Sequence, residues 1–233
     1  MMATDLRIAR VHNPLLSTYW KYSVERLLPS TDFYKSYSLT PHEVEKKFID
    51  ITPKEAPAGL KIYESPLIPE FYLAMKITIQ RKNIKLYDVY NFNGNAIVSE
   101  KAKTIIEKED SLSHQYYPIV LLDRHGKRRH EEDYYFMFIR RFISLEGGDD
   151  VSPDFKPYRP TYKQQNEYYS ALKKRPEYRD FLQSMCIWNQ PIERDAFYLS
   201  NEFLASLRAQ GCSGLYEGDS TKDDTQGAPV IYV

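Results

Sequence analysis

Apolar positions along the chain recur with two different periods. At 71–79, Met75, Ile77 and Ile79 alternate with polar neighbours, and a second strand-like run covers 84–92. Asn93-Gly94 then marks a tight turn. The run at 116–122 is continuously apolar, and 134–145 is long and rich in aromatics. Between them lies Asp123-Arg124-His125-Gly126-Lys127-Arg128-Arg129-His130, polar with a glycine near its tip, so 116–145 reads as an antiparallel hairpin. Shorter strands are expected at 185–188, 195–198 and 215–216, and Val230 to Val233 would dock on a sheet edge.

Elsewhere the period is helical. Trp20, Val24, Leu27 and Leu28 predict a helix within 14–28, stopped at Pro29-Ser30. Thr40-Pro41-His42-Glu43 has an N-cap, a proline at the first helical position and a capping-box glutamate, with Val44, Phe48 and Ile49 as the inward stripe. Pro53, Pro57 and Gly59 make 52–59 a loop, and the prolines of 153–160 read as a connector. Helices are expected at 162–172 and, opened by Pro176, at 177–182.

One short pattern occurs twice. Ile97-Val98-Ser99-Glu100-Lys101 leads from a strand into a helix with Ala102, Ile105 and Ile106 on one face. Tyr198-Leu199-Ser200-Asn201-Glu202-Phe203-Leu204 does the same near the C-terminus. Ser99 and Ser200 are the expected N-caps, Leu199 and Leu204 have the hydrophobic-staple spacing, and Gly211 stands where a left-handed C-cap belongs. The copies lie too far apart for a solenoid period. The chain is therefore expected to be α+β, an antiparallel sheet with helices, the copies being related strand–helix–strand units. Residues 1–60 would form a helical N-terminal region packed on an α+β domain at 61–217, with 218–233 a mobile acidic tail.

Composition narrows the function classes. The 32 basic residues balance 32 acidic ones, which disfavours a domain-wide nucleic-acid binder, because phosphate contacts call for a basic excess. The 2 cysteines, Cys186 and Cys212, cannot build a disulfide scaffold or a four-thiolate zinc site, and they fit a reducing cytosol. No window approaches a membrane span and the N-terminus is not a secretory signal, so a cytoplasmic protein is expected. The chain has 20 tyrosines against 11 phenylalanines; these either line strands or supply contact area at an interface.

Candidate chemistry is thin. His125 and His130, with Glu131, Glu132 and Asp133 close behind, could ligate a metal or serve as bases, but their spacing matches no zinc pattern. No nucleophile elbow or phosphate-cradling glycine loop is present, and Cys212 has no adjacent histidine to activate it. No catalytic residue, metal or cofactor is assigned. Arg124, Lys127, Arg128 and Arg129 could instead grip phosphate or an acidic partner surface, and in a neutral chain the acidic partner is the better reading.

Around Ile97-Val98-Ser99-Glu100-Lys101, Leu199-Ser200-Asn201-Glu202-Phe203-Leu204 and Gly211-Cys212-Ser213-Gly214-Leu215, the chain resembles the eleventh named immunity family of bacterial polymorphic toxin and type VI effector systems. The resemblance runs over roughly 70–217, with Arg194 or Phe197 in the place of an aromatic or arginine before the second helix. It implies a non-enzymatic protein, encoded beside a secreted toxin, that binds that toxin and occludes its active site, and it leaves the serines as structural caps. Arg124, His125, Lys127, Arg128, Arg129 and Tyr134 are the expected contact residues. The rival readings are a metal-dependent hydrolase built on His125 and His130, and a nucleic-acid or ligand-binding module using stacked tyrosines.

Overall fold

Two serines each end a strand and cap the helix that follows, and the rest of the architecture is arranged around those junctions. The computed structural model describes residues 8–12, 20–25, 49–65, 74–79, 86–92, 94–129, 133–145, 170–190, 196–217 and 228–232. In chain order the strands are β1 (Ile8–His12), β2 (Trp20–Glu25), β3 (Ile49–Asp50), β4 (Leu60–Glu64), β5 (Ala74–Ile79), β6 (Val89–Phe92) and β7 (Asn95–Ser99). Helix α1 (Glu100–Glu109) follows, then β8 (Gln115–Leu122), β9 (Tyr134–Phe138), β10 (Arg141–Leu145) and helix α2 (Pro176–Leu182). The remainder is β11 (Ile187–Trp188), β12 (Ala196–Ser200), helix α3 (Asn201–Ala209), β13 (Leu215–Glu217) and β14 (Ala228–Tyr232).

The strands form a large sheet of order β2-β5-β8-β9-β7-β6, a second sheet of order β11-β12-β1-β14-β13, and a small sheet of order β10-β4-β3. Pairing is antiparallel apart from β5 with β8 and β13 with β14. Backbone bonds join the second and small sheets: Ile143 N–H donates to Asn189 O at 2.9 Å, and Asn189 N–H to Arg141 O at 2.8 Å.

The fold is α+β as the periodicities predict, and both repeat copies are strand–helix–strand units. In the first, β7 and β8 run in the same direction with β9 between them. In the second, β12 and β13 run in the same direction with β1 and β14 between them. Both junctions are cut off from water, so their strands are buried on both faces. Ala96 and Val98 face one core and Ile97 another; Phe197 and Leu199 join Ala96 and Val98, whereas Tyr198 faces a third core. The first core also takes the inner faces of α1 (Ala102, Ile105, Ile106) and α3 (Phe203, Leu204, Leu207). Leu199 and Leu204, at the staple spacing, both lie in that core. In the third core the rings of Trp188 and Tyr198 stack at 6.0 Å.

Four sequence expectations are corrected. Trp20 and Val24 do not lie on a helix: 20–25 is strand β2, paired residue for residue with β5. An isolated helical period over so few residues yields to an available sheet edge. Ile49 is not on the inward face of a helix but begins β3, with 60% of its surface exposed. The run 134–145 is not one strand; β9 stays in the large sheet while β10 pairs with β4 in the small one. β14 does not sit on an edge but lies between β1 and β13. The described parts of the expected helical 1–60 region are thus strands and loop. Thr40 and its helix start, and the tail at 218–227, lie outside the described residues. The expectations at α1, α2, α3, β11, β12 and β13 hold to within a few residues.

Candidate functional site

The turn joining β8 to β9 is built by one carboxylate. Asp123 Oδ1 accepts from the backbone N–H of His125 at 2.8 Å and of Lys127 at 2.9 Å. The backbone closes the same loop, Asp123 N–H to Lys127 O at 2.8 Å and Gly126 N–H to Asp123 O at 3.0 Å. Gly126 takes the left-handed conformation the turn requires, with φ +77° and open space around it. The hydrogen bonds from Lys127 and His125 hold the Asp123 carboxyl below its ordinary value despite some desolvation. Asp123 is therefore committed to the backbone, and the side chains of Arg124, His125, Lys127 and Arg128 stand exposed around it.

Within this turn Arg124 Nε donates to His125 Nε2 at 2.9 Å, and Arg129 is only half-exposed, its N–H bonded to Leu121 O at 2.9 Å. Among the described residues, no acid forms an ion pair with Lys127 or Arg128. Tyr134 does not belong to this surface. It is 2% exposed, packs in a core of the large sheet and donates its hydroxyl to Tyr87 O at 3.0 Å. An aromatic at the start of a strand points inward or outward according to the pleat, and here the register with Ser99 and Ile119 turns it inward. Other described tyrosine side chains are likewise buried or half-buried, Tyr90, Tyr117, Tyr178 and Tyr198 fully so. His130, Glu131, Glu132 and Arg194 lie outside the described residues. Phe197 is core, at 0% exposure.

The two serine caps are as the repeat predicts. Ser99 Oγ accepts from Ala102 N–H and Ser200 Oγ from Phe203 N–H, both at 3.2 Å. Ser99 does more: its hydroxyl donates to Asp88 Oδ1 at 2.7 Å. Burial opposes the Asp88 charge, but donors from Ser213 and Ser99, with Lys101 nearby, outweigh it and hold the carboxyl below its ordinary value.

A second buried polar cluster went unrecognised in the sequence. Asp110, the C-cap of α1, faces the guanidinium of Arg141 through two bonds of 2.8 and 2.6 Å and the ring of His114 at 3.2 Å. Burial opposes the Asp110 charge; bonds from His114 and Arg141 outweigh it and hold the carboxyl far below the carboxylate range. Arg140 beside it bonds Ser65 O at 3.1 Å, Ser113 O at 2.9 Å and the Glu64 carboxylate. With side-chain exposures of 1% for Asp110, 0% for His114 and 4% for Arg141, these groups cannot meet a substrate. Their arrangement holds chain segments together. The one signal in the sequence was the pair Arg140-Arg141 inside an otherwise apolar run.

Burial, with Asp110 nearby, pushes the Cys186 thiol up to about 12, and burial with Asp88 nearby pushes Cys212 up to about 11, so neither is an activated nucleophile. Among the described residues no group of three or more His, Cys, Asp or Glu side chains is placed to hold a metal ion. No described helix is long and apolar enough to cross a membrane.

A search of curated proteins gives no match. The model of one family does match, over residues 18–217, spanning both strand–helix junctions, the cationic turn and the buried Asp110 cluster. By that match the chain belongs to the Imm11 immunity protein family.

Proposed function

We propose that the chain neutralises a cognate secreted toxin, of the kind delivered by type VI and related systems, by binding it in the cytoplasm of the cell that makes the chain and covering the toxin's active site. The reading is non-enzymatic: side chains act as scaffold and contact. Membership of an immunity family supports it, and one observation carries the choice of surface. The turn from Asp123 to Arg129 is braced by its own backbone and spends its only carboxylate on that bracing, and no acid among the described residues pairs with its exposed Lys127 or Arg128, which supports these cations as the contact to a partner. A braced turn backbone loses little freedom on docking, and exposed cations speed encounter with an acidic surface.

The test is co-expression with the toxin encoded beside the gene, with the complex isolated at defined stoichiometry. A one-to-one complex in which toxin activity is lost supports neutralisation by occlusion; no complex sinks it. Reversing charge at Lys127 and Arg128 together should weaken the complex by at least about tenfold, mostly at low salt. A complex unaffected by that reversal moves the contact away from this turn while leaving neutralisation intact.

A further inference from the structure

The chain turns a corner at Ile139 and Arg140, where it leaves the large sheet for the small one. Two backbone N–H groups lose their ladder partners there and are taken up by side chains. Ile139 N–H donates to Asn95 Oδ1 at 3.1 Å, and Arg140 N–H donates to His114 Nδ1 at 3.2 Å. A backbone N–H can only donate, so Nδ1 of His114 must be the unprotonated nitrogen. The ring proton is therefore on Nε2, where it faces Asp110 Oδ2 at 3.2 Å. Geometry alone sets the tautomer.

The ring has no room for a second proton. A proton on Nδ1 would point at the Arg140 N–H, donor against donor, and the bond at the corner would be lost. The added charge would also sit beside the guanidiniums of Arg140 and Arg141, at 0% side-chain exposure. Against this stands Asp110, which favours the charged ring. Asp110 is already matched by two bonds from Arg141, and Glu64 is taken by Arg140. Among the described residues, the Cys186 and Tyr116 side chains beside Asp110 are neutral, and Glu109 and Glu107 lie next to those two side chains and are not among the charges that act on the ring.

We propose that His114 is an acid-triggered release for this corner: its protonation breaks the Arg140 amide bond and loosens the junction of the large and small sheets. The loosening is local. The ring can keep donating to Asp110 from Nε2, so the Asp110–Arg141 pair persists. What is freed is Arg140 and the segment it holds, where Ser65 N–H donates to Arg140 O at 2.9 Å and Arg140 Nε returns to Ser65 O. His114 immediately precedes β8 and Arg140 follows β9, so the released corner lies at the open end of the hairpin whose closed end carries the cationic turn. The inference does not depend on that turn binding a toxin.

Burial, the largest effect, lowers the His114 value beneath the ordinary 6.5, and this agrees with the geometry. A histidine so lowered is neutral in both folded and unfolded chains above that value. Its contribution is complete there and is lost as pH falls through 6.5 toward the native value.

The test is NMR on the full chain from pH 7.5 to 5. At neutral pH the His114 ring should be the Nε2–H tautomer and should titrate below 6.5. The exchange of the Arg140 and Ser65 amides, corrected for intrinsic rates, should quicken as the ring charges, by at most about tenfold per pH unit for one proton. Amides of β7 and β9 should not follow. His114→Gln, which can still donate to Asp110 but does not titrate, should abolish the pH dependence. An Nδ1–H tautomer, or an Arg140 amide whose corrected exchange ignores pH in the unaltered chain, overturns the proposal. Should the variant fail to fold, those two measurements on the unaltered chain decide it.

Discussion

Ser213 donates both its backbone N–H and its hydroxyl to the carboxylate of Asp88, each at 2.7 Å, across 125 residues of chain. Because Asp88 also receives the hydroxyl of Ser99, one carboxylate joins the start of α1 to the loop that follows α3. Lys101 Nζ adds a bond to Gly211 O at 2.6 Å, and Glu109 Oε1 accepts from Ser206 at 2.8 Å and Gln210 at 2.6 Å. The two strand–helix units are therefore tied along their helices as well as through a shared core.

That tie makes the two caps unequal. Replacing Ser200 by alanine removes one cap bond and should cost about 1 kcal/mol. Ser99→Ala removes the equivalent bond and leaves buried Asp88 short of a donor, so it should cost roughly 2–3 kcal/mol. Urea denaturation of both variants checks the order. Equal losses would show that the Ser99 bond to Asp88 adds nothing.

Gly214 stands against backbone. A Cβ there would lie 2.4 Å from Val89 O and 2.7 Å from Tyr87 Cβ, at φ +97°. Gly214→Ala should destabilise by roughly 3 kcal/mol or more. Gly126→Ala, at φ +77° but with nothing within 4 Å, should cost only about 1 kcal/mol. Thermal melts of the pair separate close approach from backbone strain.

Asp110→Asn should cost roughly 3–5 kcal/mol at neutral pH, because Arg141 is left buried without a charge partner. The Asp110 carboxyl is held far below its ordinary 3.8, so its contribution is complete above that value and is lost as pH falls beneath it. Urea midpoints measured from pH 5 to 2.5 should fall steeply for the unaltered chain and shallowly for Asp110→Asn. This window lies below that of His114.

Both thiols should resist alkylation. With Cys186 pushed up to about 12 and Cys212 to about 11, modification at pH 8 should be at least about a hundredfold slower in the folded chain than in urea. Mass spectrometry of iodoacetamide-treated protein measures it. Fast labelling of either thiol in the folded chain would contradict the settings of the buried Cys212 and the half-buried Cys186.

The residues that were legible in the sequence are those whose partners are close in the chain. Ser99 and Ser200 bond N–H groups three residues on, Gly211 follows the C-cap Gln210 of its helix with φ +75°, and Pro176 opens α2. The exposed character of Arg124, Lys127 and Arg128 was readable for the same reason, since Asp123 and Gly126 close their turn locally. The local β8–β9 hairpin was legible too, but tertiary structure alone decided which strands pair across long stretches of chain. Trp20–Glu25 is a strand because β5 offers it an edge. The run 134–145 breaks at Arg140 because Glu64, Asp110 and His114 converge there from distant segments. Tyr134 is core because its register with β7 and β8 turns it inward. A cap or a turn is a bond between near neighbours, and propensity records it. A sheet partner and a buried ion pair join residues tens of positions apart, and no local period carries that information.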